Sequence, residues 1–168
     1  MIIKLLLILT LSLIFFQDIK EQMVWFFLLP SFAILGSLLY FKQSSIIAFL
    51  TGILINLSIV GILMGIIFFI SKFLFQKKLL NESLGLGDLL FFIAFALSFP
   101  PISFLHFFVF SLLFSLVTQQ FIVVFLKRKG KISQKNTRVP LAGLMAFFLM
   151  YVYTAHWLGF YSTLYFVL

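Results

Sequence analysis

The chain has 168 residues, of which 64% are hydrophobic, 20% aromatic and only 10% charged, with 26 phenylalanines. A water-soluble domain of this length has no interior large enough for so much apolar surface, so the composition points to the lipid bilayer as solvent. The length suits a single domain over 1–168, the absence of cysteine excludes a disulfide framework and a cysteine metal site, and the net charge of +8 is gathered in short loops, which argues against a nucleic-acid surface.

Six apolar runs follow in chain order, roughly 2–16, 24–40, 46–70, 86–99, 102–126 and 139–168. They are continuous and lack strict alternation, which predicts helices and not a barrel. The expected fold class is therefore all-α, a polytopic membrane protein with about six transmembrane helices. A bilayer core asks for about 20 apolar residues per helix, and the first and fourth runs are shorter than that. One ends near Asp18 and the other opens at Asp88, so each helix is expected to continue a turn and carry its aspartate. The first run resembles a secretory signal but has no small-x-small cleavage site, and it reads as a retained helix. In the third run, Gly61 and Gly65 are spaced for close helix packing, expected within this chain. Pro100 and Pro101 predict an outer turn between the fourth and fifth helices. A break is expected near Gly159 in the long sixth run.

Charge placement sets an expected orientation. Lys20 follows the first run, and Lys72, Lys77 and Lys78 follow the third. Lys127, Arg128, Lys129, Lys131, Lys135 and Arg138 lie between the fifth and sixth. Six helices with both termini outside put all ten on the cytosolic side, in loops 17–23, 71–85 and 127–138, and leave Lys4 and Lys42 opposite. The expected location is the cell (inner) membrane, multi-pass. The basic loop 127–138 sets topology first and could also meet anionic headgroups.

All four acids fall beside that cytosolic face: Asp18, Glu21, Glu82 and Asp88. An ionisable residue inside so apolar a chain is a functional candidate by default. Glu21 and Glu82 also suit a plain role balancing nearby lysines. Asp88 closes Gly85-Leu86-Gly87-Asp88, whose glycines permit close backbone approach or positive φ. A capping aspartate at a helix start is the simpler account of that motif taken alone. Two carboxyls at matching depth fit aspartyl chemistry, in which one, ionised, takes a proton from water and the other, protonated, polarises the scissile carbonyl. His106 and His156 are single histidines in apolar runs and are expected to be packed, neutral and hydrogen-bonded. No metal site or cofactor is expected.

An aspartate closing the first helix, GxGD opening the fourth and six spans together resemble the type IV prepilin and preflagellin peptidases, a family of GxGD-type intramembrane aspartyl proteases. The resemblance covers nearly the whole chain. It implies catalytic roles for Asp18 and Asp88 and substrate contacts at Gly85, Leu86, Gly87 and Pro140; Glu21 and Glu82, the only other acids, are expected to meet a basic leader. Val139-Pro140-Leu141-Ala142-Gly143 is similar to the family's segment opening the last helix. The implied activity is cleavage of a basic leader from a prepilin-like membrane protein at the cytosolic face. Leu90 stands where the family often has lysine, and Asp18-Ile19-Lys20-Glu21-Gln22-Met23 lacks its Ile-Pro. The chain also lacks the cysteine-rich insertion linked to N-methylation, which implies a peptidase without a methyltransferase. Two other readings stay open: an inactive family member acting as a membrane scaffold or assembly factor, and a small ion-coupled transporter.

Overall fold

The computed structural model describes residues 2–21, 24–74, 85–128 and 140–160. Six helices fill them: α1 (Ile2–Glu21), α2 (Leu28–Phe41), α3 (Ile46–Leu74), α4 (Leu86–Ser98), α5 (Pro101–Arg128) and α6 (Leu141–Trp157). No strand occurs among the described residues. Each helix falls on one predicted apolar run, because continuous apolar sequence can only satisfy its backbone amides internally once water is removed. Three helices, α1, α3 and α5, are long and apolar enough to cross a membrane by length and composition. The other three have 14, 13 and 17 residues, short of the about 20 that a straight crossing requires.

Helix ends follow local chemistry. Pro101 occupies the first position of α5, where its missing N–H costs nothing, and Phe104 N–H opens the helix by donating to the Pro100 carbonyl at 2.8 Å. The expected turn at Pro100-Pro101 is therefore present. α6 stops at Trp157, and Gly159 takes φ +84 just beyond it. Gly159 N–H donates to His156 O at 3.1 Å and Phe160 N–H to Ala155 O at 3.1 Å. This pair of bonds is a Schellman ending, which uses glycine in the left-handed region. The predicted break at Gly159 is thus a helix terminus. α1 runs past its apolar stretch to Glu21, as expected.

Short helices form the centre and long ones the periphery. α4 is buried on most of its surface through Phe91, Phe92, Ala94, Phe95, Ala96 and Ser98, and α6 through its first turns and Leu149, Val152 and Tyr153. α1 packs mainly on α6 and α2, α2 on α4, and α5 on α6. The phenylalanines divide accordingly. Phe32 stacks on Phe91 at 5.5 Å and Phe92 meets Phe108 edge-on at 5.1 Å, while Phe69, Phe110 and Phe121 face outward. The close α2–α4 contact needs Gly36, where an added Cβ would fall 2.6 Å from Ser98 Cβ.

Two expectations fail here. Gly61 and Gly65 meet no described atom within 4 Å of where a Cβ would stand. Their helix lies at the edge of the bundle, so they do not pack α3 against any other described part of the chain. His106 is exposed, not packed. Its Nδ1 pairs with the Ile102 carbonyl one turn back at 2.8 Å.

A buried asparagine ties the periphery to the centre. Asn56 of α3 is fully buried, and its Nδ2 donates to Ala96 O at 2.8 Å and Phe99 O at 2.7 Å. These carbonyls are among those that a helix leaves without partners at its C-terminus. Asn56→Leu would remove both bonds, and a buried carbonyl left without one, as at Ala96, costs about 1–3 kcal/mol. A lowered unfolding midpoint in detergent micelles is the expected result. An unchanged midpoint would remove Asn56 as the α3–α4 tie.

Candidate active site

Asp18 owes its burial to register. Leu7, Thr10, Leu11, Ile14 and Asp18 are the buried residues of α1. Their spacing of three and four residues is that of one helical face, so the aspartate continues the stripe that packs on the core. It is only 6% exposed. Asp88 lies in the first turn of α4 and is half-buried.

The two carboxylates converge on the start of α6. Gly143 N–H donates to Asp18 Oδ2 at 2.6 Å, and Ala142 N–H donates to Asp88 Oδ1 at 3.0 Å. The first N–H groups of a helix have no intrahelical acceptor and carry the positive end of its dipole. Pro140, at the cap position, has no N–H of its own, and its carbonyl accepts the first helical bond from Leu144 at 3.2 Å. Two aspartates from two other helices thus serve as the acceptors of this turn. Adjacent helical amide nitrogens lie about 3 Å apart, so the two bonded oxygens are within roughly 9 Å of each other. That range includes the roughly 5–6 Å over which one water bridges two oxygens.

The glycines of the GLGD turn have different roles. Gly85 caps α4 with φ −72 and ψ 145, an extended conformation open to any residue, so of the two uses expected of this glycine it is close approach and not positive φ that applies. Its constraint is steric. A Cβ there would stand 3.2 Å from Asp88 Oδ2, whereas one on Gly87 would meet nothing described within 4 Å. Gly87 therefore has no described neighbour that a side chain there would meet. Asp88 is not the cap residue. It is the third residue of the helix, and its carboxylate accepts backbone bonds both from Ala142 of α6 and from Gly85 at the cap, so a role at the helix start and the contact with α6 coexist.

Other predicted site residues divide by position. Leu86 is 58% exposed at the mouth of α4. Glu21 is exposed at the last position of α1, one turn beyond Asp18. Pro140 is half-buried at the dyad. Glu82 lies outside the described residues. Leu90 packs against the apolar core. No group of three His, Asp or Glu side chains able to hold a metal occurs among the described residues. Sequence reasoning missed Ala142 and Gly143 as the groups that hold the acids. The available signal was a proline followed by small residues where the last helix begins.

No family model, curated protein or solved structure matches the chain.

Proposed function

We propose that this protein is an intramembrane aspartyl endopeptidase that removes the basic leader of type IV prepilin-like precursors at the cytosolic membrane face. The observation that carries the reading is the pair of carboxylates held by consecutive amides, Gly143 on Asp18 and Ala142 on Asp88. Acids 70 positions apart in sequence have no reason to share one helix turn in an apolar protein unless their pairing is used.

In the proposed reaction the ionised member of the pair takes a proton from a water lying between them. The other, protonated, donates to the scissile carbonyl oxygen. The water oxygen bonds to the carbonyl carbon, the tetrahedral species expels the amine, and a carboxyl proton passes to the leaving nitrogen. Water is thus divided between the new acid and the new amine, and no cofactor is consumed. The pair titrates as one coupled system.

Six crossings with both ends outside suit this reading. The dyad lies near one end of α1, three residues before Glu21. Lys20 and the sequence positions Lys72, Lys127 and Arg128 fall at the ends of α1, α3 and α5. That end is cytosolic under the positive-inside rule. A dyad close to the surface is unlike a transporter's site near the midplane.

An extended substrate exposes its carbonyls, whereas a helix hides each in an i to i−4 bond. Cleavage is therefore expected between a basic leader and the apolar helix that follows. The test is a peptide with a lysine-rich leader and a 20-residue apolar helix, incubated with the protein in liposomes, followed by sequencing of the new N-terminus. Cutting at the leader boundary supports the reading. Cutting deep in the apolar helix, or no cutting, rejects it.

A further inference from the structure

Hydroxyl side chains on these helices bond back to their own backbone. Ser98 donates to Ala94 O at 2.8 Å, Ser111 to Phe108 O at 2.9 Å and Thr154 to Met150 O at 2.8 Å. The inner half of α5 breaks the habit. Ser115 is fully buried and its Oγ has no partner among the described residues. No hydrogen bond joins the side chain of Thr118 or Gln119 to another described residue. Ser111 and Thr118 are two turns apart, and Ser115 and Gln119 are one turn apart, so all four share a face. Ser111 and Ser115 are buried, and Thr118 and Gln119 are half-buried. The face therefore looks into the bundle.

The same stripe reaches the depth of the dyad. The ring of Phe114 lies 5.7 Å from that of Phe148 and 6.3 Å from that of Phe147. α5 and α6 run antiparallel, so approaching the dyad means counting up on α5 and down on α6. Gly143 is five residues from Phe148, about 7.5 Å along the axis. An equal step along α5 from Phe114 ends at Gln119. By that register Gln119 is level with Gly143, while Phe92 on Phe108 at 5.1 Å and Phe95 on Phe104 at 5.7 Å put Asp88 level with about Leu112, so the polar stripe 111–119 spans the depth of the dyad.

We infer that Gln119, with Ser115 and Thr118 beside it, is a substrate-binding residue that pairs with the main chain of an extended peptide lying at the dyad; the inference rests on the peptidase reading. A carboxamide offers both donor and acceptor functions, as does the edge of one peptide unit. Of the three, the Ser115 Oγ is buried without a partner among the described residues, and a buried unpaired polar group is costly. A peptide strand along this face satisfies it, and the face selects extended over helical substrate because only an extended strand has free amides.

Two measurements test this with the leader peptide described above. Gln119→Leu keeps the size and removes the amide, so KM should rise about tenfold, the value of one lost hydrogen bond, with kcat little changed. Gln119→Asn should recover part of the loss. Separately, a photo-crosslinking side chain at position 119 in an Asp88→Asn background should capture the uncut peptide, and one at the exposed position 120 should not. Capture reads binding whether or not cleavage occurs. A wild-type KM in Gln119→Leu, or equal capture at 119 and 120, overturns the inference while leaving the peptidase reading intact. Absence of cleavage by the parental protein overturns the peptidase reading instead, and full cleavage by Asp88→Asn removes Asp88 from the mechanism.

Discussion

Asp18→Asn and Asp88→Asn should each reduce cleavage of a leader peptide by at least about 100-fold, the lower end of what a general acid or base contributes. The protein should still insert and fold. Asparagine keeps the size of aspartate and an oxygen acceptor, so the amides of Gly143 and Ala142, now at 2.6 and 3.0 Å from the carboxylates, retain partners. The change from a charge-assisted to a neutral bond weakens each contact by about 1 kcal/mol. What is lost is the proton traffic, since a carboxamide neither takes a proton from water nor returns one to the leaving amine. The double variant should be little worse than either single one, because residues acting as a unit are not additive. Near-normal cleavage by either single variant would remove that aspartate from the mechanism. Normal helical content by circular dichroism in micelles is the necessary companion measurement.

Gly143→Ala should be nearly as damaging, although it touches neither aspartate's chemistry. A Cβ at 143 would stand 2.9 Å from Asp18 Cβ, 3.0 Å from Asp18 Oδ2 and 3.3 Å from the Phe15 carbonyl oxygen. Two of these atoms belong to, or sit directly on, the α1 backbone, so a rotamer change cannot relieve the contact. α1 must move away from α6. Overpacking of this kind costs about 1–3 kcal/mol, partly offset by up to about 1 kcal/mol of helix propensity gained on replacing glycine. The stability loss is therefore modest. Activity should fall about 100-fold, because a displacement near 1 Å is enough to spoil a reacting geometry. Gly61→Ala and Gly65→Ala are the matched controls, since neither site has a described neighbour within 4 Å. They should cleave at the parental rate. If Gly143→Ala cleaves as they do, the α6 amides do not position Asp18.

The sequence by itself determined the helices. Every described helix coincides with an apolar run, and the Pro100-Pro101 turn and the Gly159 terminus are local signals read from a few residues. It also put both aspartates at one end of the bundle, because consecutive helices reverse direction and Asp18 closes the first while Asp88 opens the fourth. What only tertiary structure decided is the device that holds them. The contacts from Gly143 to Asp18 and from Ala142 to Asp88 span 125 and 54 positions. They arise from how far α1 and α4 slide along α6, which apolar periodicity leaves free because lipid and protein interiors are equally apolar. The same freedom explains Gly61 and Gly65. A small-residue pair announces that a helix can be approached closely, and only the packing of the whole bundle shows that in α3 nothing from its own described chain does so. Gly143 is the converse case. In the sequence it is only the last residue of the segment that opens the sixth helix, and the fold sets it where an added Cβ would press on Asp18 and the Phe15 carbonyl of α1.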